Sequence, residues 1–165
     1  MKIRYKHQRF QAEATKCVSD VFQGQPKHDG SRTFLNKFGA LDFDGFGNLP
    51  LVLDNESICE NVRGVQMAEG LRPVEHLEGD GRTFTVEMET GTGKTYTYIK
   101  TMYELNACYG WSKFVIVVPS IAIREGVYKS FESMAEHFAE EYGKRMQYFV
   151  YNSKQLAKID AFASD

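Results

Sequence analysis

Residues 90–95 combine two glycines with threonines and a lysine, at a spacing that suits anion binding. This stretch, TGTGKT, follows the β-rich segment 83–88 and opens a helical pattern over 94–110. A chain that leaves a strand and enters a helix points several backbone N–H groups at one centre, beside the positive end of the helix. The pattern predicts a phosphate cradle, with Lys94 reaching the β- and γ-phosphates of a nucleotide and Thr95 offering its hydroxyl to Mg²⁺.

Position 88 departs from the general pattern for such a loop, G-x-x-x-x-G-K-[ST], because this chain has Met88 where the pattern asks for glycine. The strand before the loop and the helix after it favour nucleotide binding over a tight turn with a surface lysine. We expect ATP and Mg²⁺ to be the cofactors and Lys94 and Thr95 to be the catalytic residues. The expected binding set is Thr90, Gly91, Thr92, Gly93, Lys94 and Thr95.

Gln11 is the second candidate, near the start of a helical pattern over 7–23. Its amide offers a donor and an acceptor, which match the N7 and N6 atoms of adenine. A glutamine on a helix is ordinarily a solvated residue, and this one gains interest because a phosphate-binding pattern follows in the same chain. We therefore predict that Gln11 binds the adenine of the nucleotide.

The third candidate is the segment VVPSIAIREGV at 117–127, where a predicted strand ends at Pro119 and a helix begins at Ser120. The N–H groups at the start of that helix, together with the Ser120 hydroxyl, suit a nucleic-acid phosphate, and Arg124 adds a charge. An ordinary capped helix with a surface arginine would have the same sequence features. Pro119, Ser120 and Arg124 are candidate DNA-binding residues on this basis.

The order of apolar patterns predicts the elements that hold these residues. Helical spacing of apolar residues over 7–23 indicates an opening helix, on which Phe10 could pack on a base or in the core, and 54–70 indicates a second helix capped by Asp54. Strand and helix patterns then alternate in the order β-α-β-α-β, which predicts a parallel sheet flanked by helices. The predicted segments are strands at 83–88, 113–119 and 145–151 and helices at 94–110 and 120–143.

We therefore expect an α/β fold, a P-loop NTPase of the RecA-like type with an incomplete lobe. Its predicted parts are a helix carrying Gln11 (1–26), a small hairpin and helix inserted before the P-loop (27–82), and the core (83–165).

Composition excludes several classes. The formal net charge of −2 gives no bulk electrostatic reason to bind nucleic acid, although a local basic groove stays possible. Three widely spaced cysteines suit neither a disulfide framework nor a metal site and favour a reduced, cytoplasmic protein. No apolar run approaches the length of a membrane span, so we expect no membrane partner.

The segment 84–127 resembles the restriction (Res) subunit of type III restriction-modification enzymes, and more broadly a superfamily-two helicase motor. In that family an ETGTGKT loop is followed by a YGW-x-KF approach to the next strand and then by VPS-x-AIREGV, and methionine at position 88 is tolerated. Residues 10–26 and 150–162 are similar to the family's opening helix and to the segment after its third strand. The resemblance spans most of the chain and is loosest over 27–82.

The resemblance implies roles for all three candidates. Gln11 corresponds to the adenine-reading glutamine of the Q motif, residues 90–95 to motif I, and the three residues at 119, 120 and 124 to the motif Ia region beside DNA. It also implies an ATP-driven enzyme that travels on double-stranded DNA, a modification methyltransferase subunit as its partner, and cleavage by a separate nuclease domain.

One required feature is missing from the sequence after Lys94. An ATPase of this kind needs an acidic pair after a later apolar strand, one carboxylate for Mg²⁺ and one for the attacking water, and no such pair occurs. We expect an N-terminal fragment that neither hydrolyses ATP nor cleaves DNA. The alternatives are a type I restriction or repair helicase-like translocase, a different P-loop enzyme such as a nucleotide kinase, and an interaction module that has lost its chemistry.

Overall fold

The computed structural model describes residues 5–27, 34–35, 41–42 and 48–154, with the isolated residues 159 and 162. The remaining parts of the predicted insertion, at 28–33, 36–40 and 43–47, lie outside the described residues. Within the described residues the chain forms four α-helices, α1 (Arg9–Asp20), α2 (Asn55–Ala68), α3 (Lys94–Tyr109) and α4 (Ile121–Tyr142). Two short strands, β1 (Phe34–Leu35) and β2 (Leu41–Asp42), pair antiparallel, with Phe34 opposite Asp42 and Leu35 opposite Leu41.

Helices α2, α3 and α4 begin and end within two residues of the predicted bounds, because local chemistry fixes their termini, whereas α1 is shorter at both ends than the predicted 7–23. The Asp54 carboxylate accepts from the Ser57 N–H at 2.8 Å and caps α2, and the Ser120 hydroxyl accepts from the Ile123 N–H at 3.3 Å and caps α4. Gly110 and Gly143 end α3 and α4 with φ of 75° and 68°, a left-handed conformation that glycine adopts without strain.

The core lies between α3 and α4. Its buried side chains are mostly aromatic, and the rings of Tyr103 and Phe138 stack with their centroids 5.1 Å apart. Tyr96 near the start of α3 meets His137, and Glu104 further along meets Tyr142, so α3 and the second half of α4 run in the same direction. The buried members are Tyr96, Ile99, Met102, Tyr103, Phe131 and Phe138.

Helix α1 packs on another face of α3 and presents a polar stripe to the interior. Gln11, Thr15 and Ser19, spaced four residues apart, are buried, whereas Phe10 is 45% exposed. Of the two placements open for Phe10, the structure therefore excludes the core. Gln11 contacts the start of α3 and the Ser19 carbonyl accepts from the Tyr109 hydroxyl at its end, so α1 and α3 also run in the same direction.

The predicted α/β fold, a RecA-like parallel sheet flanked by helices, is wrong for the described residues. The segments 83–88, 113–119 and 145–151 contain neither helix nor strand, and no backbone hydrogen bond joins any two of them. In the part of the chain that the structure describes, the β1–β2 pair is the one sheet.

The reason lies in what a strand requires. A strand exists through hydrogen bonds to a neighbour about 4.8 Å away, and an apolar pattern records a tendency to be buried without supplying that neighbour. Val115 and Val117 are 77% and 88% exposed, so neither a strand nor a helix covers this side of the segment. Its other side does pack, since Phe114 contacts the α3–α4 core.

Candidate nucleotide-binding site

Residues 90–93 form a tight loop between the segment 82–89, which contains neither helix nor strand, and Lys94 and Thr95 at the start of α3. Gly91 and Gly93 have φ of 84° and 87°, in a region that residues with a Cβ rarely adopt. The N–H and the hydroxyl of Thr92 both donate to the Glu89 carbonyl, at 3.4 and 2.6 Å. The chain itself holds the loop in this shape, and the shape requires the two glycines.

Lys94 begins α3 and folds back over the loop. Its ammonium donates to the same Glu89 carbonyl oxygen at 2.7 Å, so this oxygen accepts three hydrogen bonds from the loop. A hydrogen bond between an ammonium and an anionic phosphate is stronger than one between an ammonium and a neutral carbonyl. A phosphate at the loop can therefore compete for Lys94.

The first turn of α3 supplies further donors at this end of the loop. The first helical hydrogen bond runs from the Thr97 N–H to the Gly93 carbonyl at 3.0 Å, and Gly93 at the N-cap position has no side chain to cap the helix. The N–H groups before Thr97 have no acceptor within the helix, and the helix dipole is positive here. Together with Lys94 and the Thr95 hydroxyl, these donors fit a polyphosphate with its Mg²⁺.

Gln11 lies against the loop, although 81 positions separate it from Thr92 in the sequence. Its Nε2 atom donates to the Thr92 carbonyl at 2.8 Å, and a Cβ added at Gly93 would lie 2.5 Å from that nitrogen. The amide keeps its Oε1 and a second N–H, which are the acceptor and donor that adenine requires. The structure thus brings the first two candidates together.

Within the described ranges, the third candidate makes polar contacts only with its own neighbours in the sequence. Ser120 caps α4, and the Arg124 guanidinium pairs with the Glu125 carboxylate at 2.9 Å. Pro119 and Ser120 are exposed. Among the described residues, no hydrogen bond or ion pair links Pro119, Ser120 or Arg124 to residues 90–95.

Sequence reasoning missed a polar network between α3 and α4. The Tyr96 hydroxyl lies 2.9 Å from His137 Nε2, which in turn lies 3.5 Å from a carboxylate oxygen of Glu141. The other oxygen of Glu141 accepts from the buried ammonium of Lys100, which also donates to the Tyr142 hydroxyl at 2.9 Å. Spacing of four residues, between 96 and 100 and between 137 and 141, is the signal that could have shown these side chains facing each other.

Burial keeps two rings of this network, those of Tyr96 and His137, uncharged near neutral pH. Burial, with a smaller effect of the Glu141 charge, raises the pKa of Tyr96 to about 12. Burial lowers the pKa of His137 from its ordinary 6.5, and the Glu141 carboxylate opposes that shift. The Tyr96–His137 contact is therefore a hydrogen bond between neutral groups.

Comparison with known proteins agrees with the motifs. A family described as type III restriction enzyme, res subunit, matches residues 56–160, a range that includes the loop, α3 and α4. The EcoP15I Res subunit of Escherichia coli and the EcoPI Res subunit of Escherichia phage P1, both from type III restriction-modification enzymes, are each 36% identical over 113 residues. The StyLTI Res subunit of Salmonella typhimurium is 46% identical over 77 residues, 45% of this chain and 8% of that protein.

This chain belongs to the family of type III restriction enzyme Res subunits. The match to the first two relatives covers 67% of this chain and 12% of each relative, so the chain spans a small part of the proteins that it resembles.

Within the described residues, none of the helices combines the length and the apolar character needed to cross a bilayer.

Proposed function

We propose that this chain is the ATP-binding part of an ATP-dependent DNA motor, the restriction subunit of a type III restriction-modification system. The observation that carries the proposal is the hydrogen bond between the Gln11 amide and the Thr92 carbonyl. It places a side chain suited to binding adenine next to a loop suited to binding phosphate. Membership of the Res subunit family supports the same function independently.

In this proposal each candidate residue has one task. Lys94 pairs with the β- and γ-phosphates, Thr95 holds Mg²⁺ through its hydroxyl, and Gln11 binds adenine. When bound, Mg·ATP supplies the phosphoanhydride whose hydrolysis drives movement. The backbone that surrounds the phosphates comes from Thr90, Gly91, Thr92 and Gly93.

For the whole protein we propose double-stranded DNA as the substrate, a modification methyltransferase subunit as the partner and the cytoplasm as the location. The names of the relatives, all restriction-modification enzymes, support this assignment. Pro119, Ser120 and Arg124 are the proposed DNA contacts. We propose a chain organised as 1–26, 27–82 and 83–165, without the parallel sheet.

Calorimetric titration of the chain with Mg·ATP tests the proposal. We expect measurable binding that Lys94→Ala weakens at least about tenfold, since the charged hydrogen bond of the ammonium to phosphate is among the strong ones. Lys129→Ala removes an exposed lysine on α4 and is the matched control, with unchanged affinity. Absence of heat with wild-type protein, or equal effects of the two substitutions, would contradict the proposal.

We expect no steady-state hydrolysis of ATP by these 165 residues, because no acidic pair follows an apolar segment after Lys94. A steady-state phosphate-release assay checks this expectation. Turnover that Lys94→Ala abolishes would contradict it and would show that carboxylates elsewhere in the chain complete the site.

A further inference from the structure

The first turn of α3 makes one hydrogen bond to α4, and it lies next to the candidate phosphate loop. Tyr96 follows Lys94 by two positions, is 5% exposed, and its hydroxyl meets His137 Nε2 at 2.9 Å. The other polar contacts between these helices start from Lys100 and Glu104, one and two turns further from the loop.

A residue from the chain before α1 covers this hydrogen bond. The ring of Tyr5 lies 5.9 Å from that of Tyr96 and 5.1 Å from that of His137, measured between centroids. The Tyr5 hydroxyl donates to the Ser133 hydroxyl on α4 at 3.2 Å. Three stretches of the chain thus meet at the end of α3 that carries Lys94.

His137 is itself held by the residues that pack on its ring. The centroids of the Tyr5 and His7 rings lie 5.1 and 5.9 Å from that of the imidazole. The imidazole therefore has a defined position, which allows it to hold Tyr96 in place.

We propose that His137 is a positioning residue for nucleotide binding, acting through the Tyr96 hydroxyl to fix the first turn of α3. That turn carries Lys94, Thr95 and the N–H groups that face a phosphate, and small displacements of such donors weaken binding. The inference rests on the proposed function, because it concerns the same loop. Helix α4 contributes no ligand to the loop, but on this inference it controls how tightly the loop binds nucleotide.

Two tyrosine-to-phenylalanine substitutions separate positioning from stability. Tyr96→Phe removes the hydroxyl next to the loop, and Tyr142→Phe removes the same group at the far end of the network, where it accepts from Lys100 and donates to Glu104. We expect Tyr96→Phe to weaken Mg·ATP binding about three- to tenfold, the range of one neutral hydrogen bond. Tyr142→Phe should change the affinity for Mg·ATP by less than about twofold. Because it loses two hydrogen bonds, it should lower the melting temperature at least as much as Tyr96→Phe does.

His137 is tested with a conservative and a disruptive replacement. His137→Gln keeps a polar group that can meet the Tyr96 hydroxyl and should retain most of the affinity, whereas His137→Leu should match Tyr96→Phe. Equal losses of affinity in Tyr96→Phe and Tyr142→Phe would overturn the inference, because the network would then act only on stability.

Amide hydrogen exchange without nucleotide distinguishes failure of the inference from failure of the proposed function. The Thr97 N–H, which donates to the Gly93 carbonyl, should exchange several-fold faster in Tyr96→Phe than in the wild-type protein. In Tyr142→Phe its exchange rate should be unchanged. If wild-type protein binds no Mg·ATP but this difference appears, the proposed function fails and the coupling of His137 to the loop stands. Unchanged exchange in Tyr96→Phe would overturn the coupling whatever the protein binds.

Discussion

Helix α3 packs against α1 on one face and against α4 on another, and the two contacts consist of different kinds of side chain. Toward α1, the neighbouring helix offers small polar residues, with Thr15 and Ser19 buried. Toward α4, the contact consists of large rings such as Tyr103 and Phe138, with the ion pair between the buried Lys100 and Glu141 beside them. Small residues let two helices approach closely, and this brings the Gln11 amide to the loop. Large rings bury more apolar surface, and each Å² of buried apolar surface stabilises the fold by about 25 cal/mol. One face therefore assembles the candidate site, and the other forms the aromatic core.

Removing a ring from the α4 face should have the largest effect on stability. Phe138 is 1% exposed, and Phe138→Ala should lower the free energy of unfolding by about 3–5 kcal/mol, since it removes buried surface and leaves a cavity. Urea unfolding measures the change. Phe10→Ala on α1 is the matched control and should cost under about 1 kcal/mol, because Phe10 is 45% exposed. Similar losses in both variants would contradict the contrast between the faces.

Adding one methyl group where α1 meets the loop should have the next largest effect. Gly93→Ala places a Cβ at a φ of 87° and 2.5 Å from Gln11 Nε2, so we expect a loss of about 1–3 kcal/mol in unfolding free energy and weaker nucleotide binding. Gly64→Ala, within α2 and with no atom within 4 Å of the added Cβ, should instead stabilise by about 0.5–1 kcal/mol. Thermal unfolding of the two variants checks the opposite signs, and a stabilised Gly93→Ala would exclude the close contact with Gln11.

A third substitution sharpens the description of the α1 face. The Thr15 hydroxyl is buried and makes no hydrogen bond within the described residues. Thr15→Val keeps the shape and should raise the unfolding free energy by about 1 kcal/mol, because a buried hydroxyl without a partner is costly. Thr101→Val is the control, since the Thr101 hydroxyl donates to the Thr97 carbonyl at 2.8 Å, and it should not stabilise. Denaturant titration that shows Thr15→Val to be destabilising would mean that the hydroxyl has a partner.

The smallest expected effect is a dependence of stability on pH, which comes from the α4 face. Burial lowers the pKa of His137 from 6.5, so the folded chain binds fewer protons there than the unfolded chain. The free energy of unfolding should therefore fall as the pH drops below about 6.5 and level off above it. Urea titrations at several pH values check this. The variant His76→Gln, which removes an exposed histidine, is the control. Relative to that control, His137→Gln should show a smaller change of unfolding free energy with pH. An unchanged slope in His137→Gln would assign the pH dependence to other groups.

Sequence predicted the features that depend on neighbouring residues. Asp54, Ser120, Gly110 and Gly143 mark helix ends through hydrogen bonds or φ values within a few positions, so a local pattern suffices. Sequence also singled out Gln11 and the loop as parts of one site, and the structure brings them into contact.

The failures concern partners that are distant in the sequence. Apolar runs at 113–119 predicted a strand, but pairing depends on another segment of the chain, and that information is not in the run itself. The apolar spacing of the opening helix includes Phe10, yet the residues of α1 that are buried against other parts of the chain are Gln11, Thr15 and Ser19. The Tyr96–His137 contact joins residues 41 positions apart, which no local pattern reports.

The four helix starts differ in a way that has a thermodynamic consequence. Asp54 and Ser120 close the starts of α2 and α4, while the N-cap residues of α1 and α3, Gln8 and Gly93, make no side-chain hydrogen bond. A side-chain cap is worth about 1 kcal/mol, and this stabilisation is missing at the two helix starts that lie beside the candidate site. At α3 selection for stability could not restore it, because any capping side chain at position 93 would meet the backbone strain and the close contact with Gln11 expected of Gly93→Ala. The loop geometry therefore keeps the donors at the start of α3 uncapped, at a cost in stability to the free protein and to the advantage of an anion that binds there.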